Sequence, residues 1–144
     1  MILRQVFWAG WIAALVLFAQ LASAAEATVY KSLQCGCCKE YVAYLRQNGF
    51  SVKTVDIDDL APIKRKHGVP QALEGCHTTV IDGYAIEGHV PVNSIKRLLS
   101  ERPAIKGISL PGMPAGSPGM GGKKTATFAI YTITEGEPKV YATE

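Results

Sequence analysis

Cys35-Gly36-Cys37-Cys38 is the feature that most restricts how this chain folds. It stands between a short strand pattern, Thr28-Val29-Tyr30-Lys31, and a segment whose apolar residues recur at helical spacing. Cys35 and Cys38 have the C-x-x-C spacing of a thioredoxin-like loop, in which a first strand turns directly into a first helix. At a helix N-terminus, unpaired backbone N–H groups and the positive end of the dipole favour thiolate over thiol. A thiolate is both a redox nucleophile and a metal ligand, so the loop by itself does not choose between those chemistries.

The rest of the chain supplies the matching elements. Val42 and Leu45, with Tyr41 and Tyr44, carry the first helix, and Asn48-Gly49 closes it. Phe50 to Ile57 alternates as a strand. Asp58 or Asp59 is placed to cap a second helix that has Pro62 in its first turn and runs to about His67. Thr78 to Ile81 and Tyr84 to Glu87 are strands joined by the hairpin turn Asp82-Gly83. Pro91 to Glu101 is a third helix, capped at Asn93 or just before it, with Ile95, Leu98 and Leu99 as its apolar stripe. The order β-α-β-α-β-β-α predicts an α/β fold of the α+β mixed-sheet kind, thioredoxin-like, with one parallel and one antiparallel pairing. Residues 111–120 are too rich in proline and glycine for a helix or a central strand. Phe128 to Ile133, a turn at Glu135-Gly136 and Val140-Tyr141 predict a C-terminal β-hairpin added to the sheet. The organisation expected is a domain over 25–121, with a Gly/Pro/Met loop at 111–120, and a hairpin extension of the same domain over 122–144.

The N-terminus is read separately. Arg4 precedes an apolar run from Val6 to Leu21, and Ala22-Ser23-Ala24 is a small-x-small cleavage site. This is the pattern of a secretory signal peptide, cleaved after about Ala24. The rival is an uncleaved anchor, but the run is short against the roughly 20 residues that span a bilayer. Cleavage removes one positive charge from a net charge of +3. No later stretch is long and apolar enough to span a membrane. Lys64-Arg65-Lys66 is too short to suggest nucleic acid and reads as a solvated helix face.

Four cysteines in an exported chain permit two disulfides. Their spacing argues otherwise, since three fall within four residues and a Cys37–Cys38 bridge would be strained. For a dithiol oxidoreductase using Cys35 and Cys38, Cys37 would offer wrong disulfides during exchange. For a soft cation it is a further ligand. Cys76-His77 enters the third strand, and in a thioredoxin-like topology that loop lies against the C-x-x-C loop. A fourth thiol and an imidazole are thereby expected at the same place. His89 follows the fourth strand, where it is either a ligand or a surface histidine. His67 ends a basic helix, where a cation suits the dipole. Met113 and Met120 offer thioethers, which suit Cu(I) or fill gaps in packing. The donor set selects Cu(I), Zn(II) or an iron–sulfur cluster, and its spacing fits no familiar zinc-finger or ferredoxin pattern. Copper is favoured over zinc, with copper ions as the partner and other periplasmic copper-handling proteins as donors or acceptors.

Several segments together resemble a known family. They are Tyr30-Lys31-Ser32, Cys35-Gly36-Cys37-Cys38-Lys39, Val55-Asp56-Ile57-Asp58-Asp59-Leu60, Ile63-Lys64-Arg65-Lys66, Gly75-Cys76-His77-Thr78, Asp82-Gly83-Tyr84, Ile86-Glu87-Gly88-His89-Val90-Pro91 and Pro111-Gly112-Met113-Pro114. The chain is similar here to the uncharacterised-domain family of predicted periplasmic metal-binding proteins, to which the copper-resistance protein CopG belongs. The resemblance implies a thioredoxin-like fold, copper binding by the C-x-C-C cysteines and the Cys-His pair, and a role in bacterial copper tolerance. His89 falls within the family pattern and His67 outside it. From Lys123 onward the resemblance is slight.

Overall fold

The structure is a computed structural model that describes residues 23–144. The signal peptide expected over 1–24 lies almost wholly outside the described residues. Among those described, no helix is long and apolar enough to cross a membrane.

A single mixed sheet of seven strands organises the chain, in the order β2-β1-β3-β4-β5-β6-β7. Strand β1 (Glu26–Lys31) buries Ala27, Val29 and Lys31 on one face, as the two-residue period of a strand requires. It pairs in parallel with β2 (Ser51–Asp56) and antiparallel with β3 (His77–Ile81). Between β1 and β2 runs helix α1 (Gly36–Gln47). Its buried residues Cys38, Tyr41, Val42 and Leu45 recur at three and four, so one stripe faces the sheet. The β3–β4 hairpin turns at Asp82-Gly83 into β4 (Tyr84–Gly88), as expected. Ile81, Ile86, Ile95, Leu98, Ile108 and Ile130 are fully buried in the core beside Tyr41 and Leu45.

Three local expectations need correction. Helix α2 (Ala61–Lys66) starts at Leu60 with no side-chain cap; Asp59 Oδ1 does accept from the Ala61 N–H at 3.0 Å. Helix α3 (Val92–Glu101) is entered from Pro91, and Asn93 lies inside the first turn, where it cannot act as the cap. Lys64 is not solvated. Only 5% of it is exposed, because α2 turns this one residue of its basic run toward the sheet.

The sheet also contains a strand that the sequence pattern did not reveal. After α3, β5 (Gly107–Leu110) lies parallel to β4, closing a β-α-β unit. The C-terminal hairpin, β6 (Ala129–Ile133) and β7 (Val140–Thr143), joins the sheet through β5. The loop between β5 and β6 contains the Gly/Pro/Met segment, which forms turns and no helix.

Candidate metal centre

The strand directions gather three chain segments at one end of the sheet. Lys31, at the end of β1, pairs with His77, at the start of β3, and Thr78 pairs with Glu87 near the end of β4. The loop leaving β1, the residues entering β3 and those leaving β4 therefore meet. They bring Cys35, Cys37 and Cys38, then Cys76 and His77, then His89.

Cys35 occupies the N-cap of α1, where its sulfur accepts from the Cys38 N–H at 3.3 Å. Cys38 is fully buried. Cys37 Sγ lies 3.5 Å from Cys35 Sγ and 3.7 Å from Cys76 Sγ. Cys76 Sγ lies 3.6 Å from Cys38 Sγ. The four sulfurs thus all lie within 4.8 Å of one another. The metal expectation takes all four as ligands, and the oxidoreductase alternative pairs Cys35 with Cys38. The structure joins Cys35 to Cys38 in a disulfide, with the Cα atoms 5.3 Å apart, and leaves Cys37 and Cys76 free. The C-x-x-C spacing at a helix start places the two side chains at bridging distance.

Cys76 also faces nitrogen. His77 Nδ1 is 3.3 Å and His89 Nε2 is 3.2 Å from its sulfur. His89 Nδ1 lies 2.6 Å from the Pro118 carbonyl oxygen. That oxygen can only accept, so Nδ1 carries the proton and the Nε2 lone pair is left for Cys76 or a metal. Such outer bonds fix the tautomer of histidine ligands. Both imidazoles are fully buried, and Tyr41 packs on them with ring centroids 4.6 Å from His77 and 5.4 Å from His89. Burial, the neighbouring His89 and the Lys64 charge depress the His77 pKa to about 3. Burial lowers His89 as well, against the pull of the Pro118 carbonyl. Both rings are therefore neutral, the form that binds metal. Burial and the adjacent Cys37 push the Cys76 thiol up to about 12. Without a cation Cys76 holds its proton, and a metal must displace that proton on binding.

Two close backbone contacts allow this crowding. A Cβ on Gly75 would lie 2.8 Å from Gly88 Cα, so the residues before Cys76 and before His89 touch only because side chains are absent there. A Cβ on Gly119, which has φ +80°, would lie 2.7 Å from the Tyr41 amide nitrogen and 3.0 Å from the Cys37 carbonyl. The Gly/Pro/Met loop is thereby laid over the start of α1, where Pro118 reaches His89. Met120 follows this contact and is half-buried, whereas Met113 is exposed at a φ of +44°. His67 occupies the C-cap position of α2, but burial and the neighbouring Lys66 lower its pKa, against the cation expected there, and it belongs to neither of the Cys/His groups gathered at the site.

Lys64 and Glu87 are residues of the site that sequence reasoning missed. They form a buried ion pair. Lys64 Nζ also donates to the Gly75 carbonyl at 3.1 Å and to Thr78 Oγ1 at 3.3 Å. The Gly75 N–H and the Thr78 hydroxyl donate to the Glu87 carboxylate at 2.7 and 2.6 Å. Burial raises the Glu87 pKa, and Lys64 with these donors pulls it back. The network grips the residues on both sides of Cys76-His77. A Glu inside the apolar strand Tyr84-Ala85-Ile86 was the visible signal, since a buried charge demands a partner.

The donor chemistry fits a soft or borderline ion. Sulfur and neutral imidazole converge without an intervening carboxylate, and His77 Nε2 is buried with no hydrogen-bond partner among the described residues. A family model described as "Protein of unknown function, DUF411" matches residues 73–120. Two solved structures, "Copper resistance protein copG- Form 2" and "Copper resistance protein copG- Form 1", are each 38% identical to the chain. Each comparison covers 84% of this chain and 98% of the other, with TM-scores of 0.78 and 0.77. No curated protein matches the chain.

Proposed function

This chain belongs to the family of the copper resistance protein CopG, and from that premise we propose that it is a periplasmic copper-binding protein serving copper resistance. One observation carries the reading: four cysteine sulfurs from two distant segments lie within 4.8 Å of one another. With the Cys35–Cys38 bridge reduced, this is a set of four soft ligands suited to Cu(I). Thiolates bridge copper ions, so the set has the capacity for more than one. His77 and His89 add nitrogen donors at the Cys76 end, and Zn(II) is the weaker candidate. Of the two thioethers, Met120 is the better placed, beside the contact between the loop and α1. The thioredoxin-like reading of the fold rests on the β2-β1-β3-β4 order, with β1–β2 parallel and β3–β4 a hairpin.

The export reading rests on the N-terminal pattern alone. A mature chain beginning near Ala25 is its test, and full-length protein held in the membrane would refute it. Copper would be exchanged there with other periplasmic copper-handling proteins. The metal reading is tested by titrating the reduced protein with Cu(I) and Zn(II). Preference for Cu(I), with a thiolate-to-copper absorption band that weakens in Cys37→Ser, supports it.

The Cys35–Cys38 disulfide favours a second reading, a thiol–disulfide oxidoreductase. Efficient reduction of insulin disulfides by the wild type, with copper binding unchanged in Cys37→Ser, would select that reading.

A further inference from the structure

Closing the Cys35–Cys38 bridge does not empty the site of ligands. Cys37 and Cys76 stay free, and His77 and His89 stay in place. Cys76 Sγ lies 3.3 Å from His77 Nδ1, 3.2 Å from His89 Nε2 and 3.7 Å from Cys37 Sγ. A tetrahedral ion has metal–sulfur bonds of about 2.3 Å and metal–nitrogen bonds of about 2.0–2.1 Å. Its sulfur and nitrogen ligands are then separated by roughly 3.5 Å. The two sulfur–nitrogen separations fall within a few tenths of an ångström of that edge, and Cys76, His77 and His89 form one group with ligand atoms within 4.8 Å of one another, to which Cys37 does not belong. Pro118 already turns the His89 Nε2 lone pair toward Cys76.

We infer that the disulfide form has a metal-binding mode of its own: one divalent ion of the zinc class, held by Cys76, His77 and His89, with a solvent molecule in the fourth position. The inference deepens the copper reading by assigning the oxidised state of the same site, and it requires only that the bridge be closed. Cys76 belongs to both ligand sets, so the two modes compete. A dithiol reductant would exchange one for the other. Its thiolate attacks the Cys35–Cys38 bond, the two sulfurs take up two electrons and two protons, and the reductant leaves as its own disulfide. Two more soft ligands then stand beside Cys37 and Cys76, and the preference moves from a borderline divalent ion toward Cu(I).

Protein purified without reductant, stripped with chelator and confirmed by mass to hold the bridge, provides the test. It is titrated with Co(II), a coloured substitute for Zn(II). The expected result is one Co(II) per chain, with a tetrahedral spectrum and a sulfur-to-cobalt charge-transfer band, displaced by Zn(II). Bound Zn(II) should also slow alkylation of Cys76 at least tenfold while the bridge stays closed. His89→Ala should abolish the tetrahedral spectrum. That variant also loses the Pro118 bond, so alkylation of the wild type stands as an independent readout that needs no mutation. A six-coordinate spectrum without charge transfer, alkylation unchanged by Zn(II), or Co(II) binding only after reductant is added would each overturn the inference. Cu(I) titration of the reduced protein separates the two claims. Its failure beside successful Co(II) binding refutes the copper reading alone, and the reverse result refutes this one alone.

Discussion

The Nε2 atom of His89 lies 3.2 Å from the sulfur of Cys76, thirteen residues earlier in the chain. The contact is built from outside the pair. Gly75 and Gly88 touch backbone to backbone, and Pro118 fixes the tautomer. His89→Ala is therefore expected to lower the Cu(I) affinity of the reduced protein at least ~10-fold, the lower end for loss of a ligand-orienting group. Competition against a chromophoric Cu(I) chelator measures it. An unchanged affinity would remove His89 from the site.

Cys38 and Cys76 approach to 3.6 Å across the site. If they hold one cluster, Cys38→Ser and Cys76→Ser should each reduce copper stoichiometry or affinity severely. The double variant should be little worse than either, because ligands of one cluster act as a unit. His77→Ala should cost less, since the sulfurs remain. Additive losses in the same chelator competition would mean two separate sites.

How much of this centre was legible depended on whether its signal was local. Cys35, Cys37 and Cys38 are adjacent, and the pattern after them spells a helix start. Cys76-His77 was placed by counting strands, which works because a β-α-β-α-β order restricts where the third strand enters. The clustering of three cysteines within four residues argues against structural bridges, yet the helix N-cap brings Cys35 and Cys38 together regardless. Lys64 resembled its neighbours Arg65 and Lys66, and only the docking of α2 separates one buried cation from two solvated ones. Strand β5 was lost for a different reason. Gly107-Ile108-Ser109-Leu110 is four residues long with no turn signal before it, and only pairing with β4 and β6 makes it a strand.

The Lys64–Glu87 pair makes a prediction about stability. Removing one partner of a buried ion pair leaves an uncompensated charge, at a cost of about 3–5 kcal/mol. Lys64→Met is expected to destabilise by that amount in urea unfolding of the metal-free protein. Adding Glu87→Gln should restore much of it, because no buried charge then remains. The Lys64→Met variant should also bind copper more weakly while still folded, since Gly75 and Thr78 lose their clamp beside Cys76. A single variant as stable as the wild type would show that water reaches Glu87.

His77 makes the metal-free protein sensitive to acid. Its pKa is about 3 in the fold, against roughly 6.5 in an unfolded chain. Above 6.5 neither state protonates it, and it contributes no pH dependence. Between 6.5 and about 3 the unfolded chain binds a proton that the folded chain refuses, so stability falls as the pH falls. The slope approaches ~1.4 kcal/mol per pH unit from this one residue, and below about 3 it levels off because the folded form also protonates. His89, shifted the same way, adds to the loss. Glu87 acts in the opposite sense, since a raised carboxyl pKa favours the fold as the pH falls. Comparing wild type with His77→Gln cancels that contribution. Urea unfolding at a series of pH values from 7 to 4 should show a flatter profile for the variant, by up to one proton. Parallel profiles would mean that His77 is reached by solvent and titrates normally.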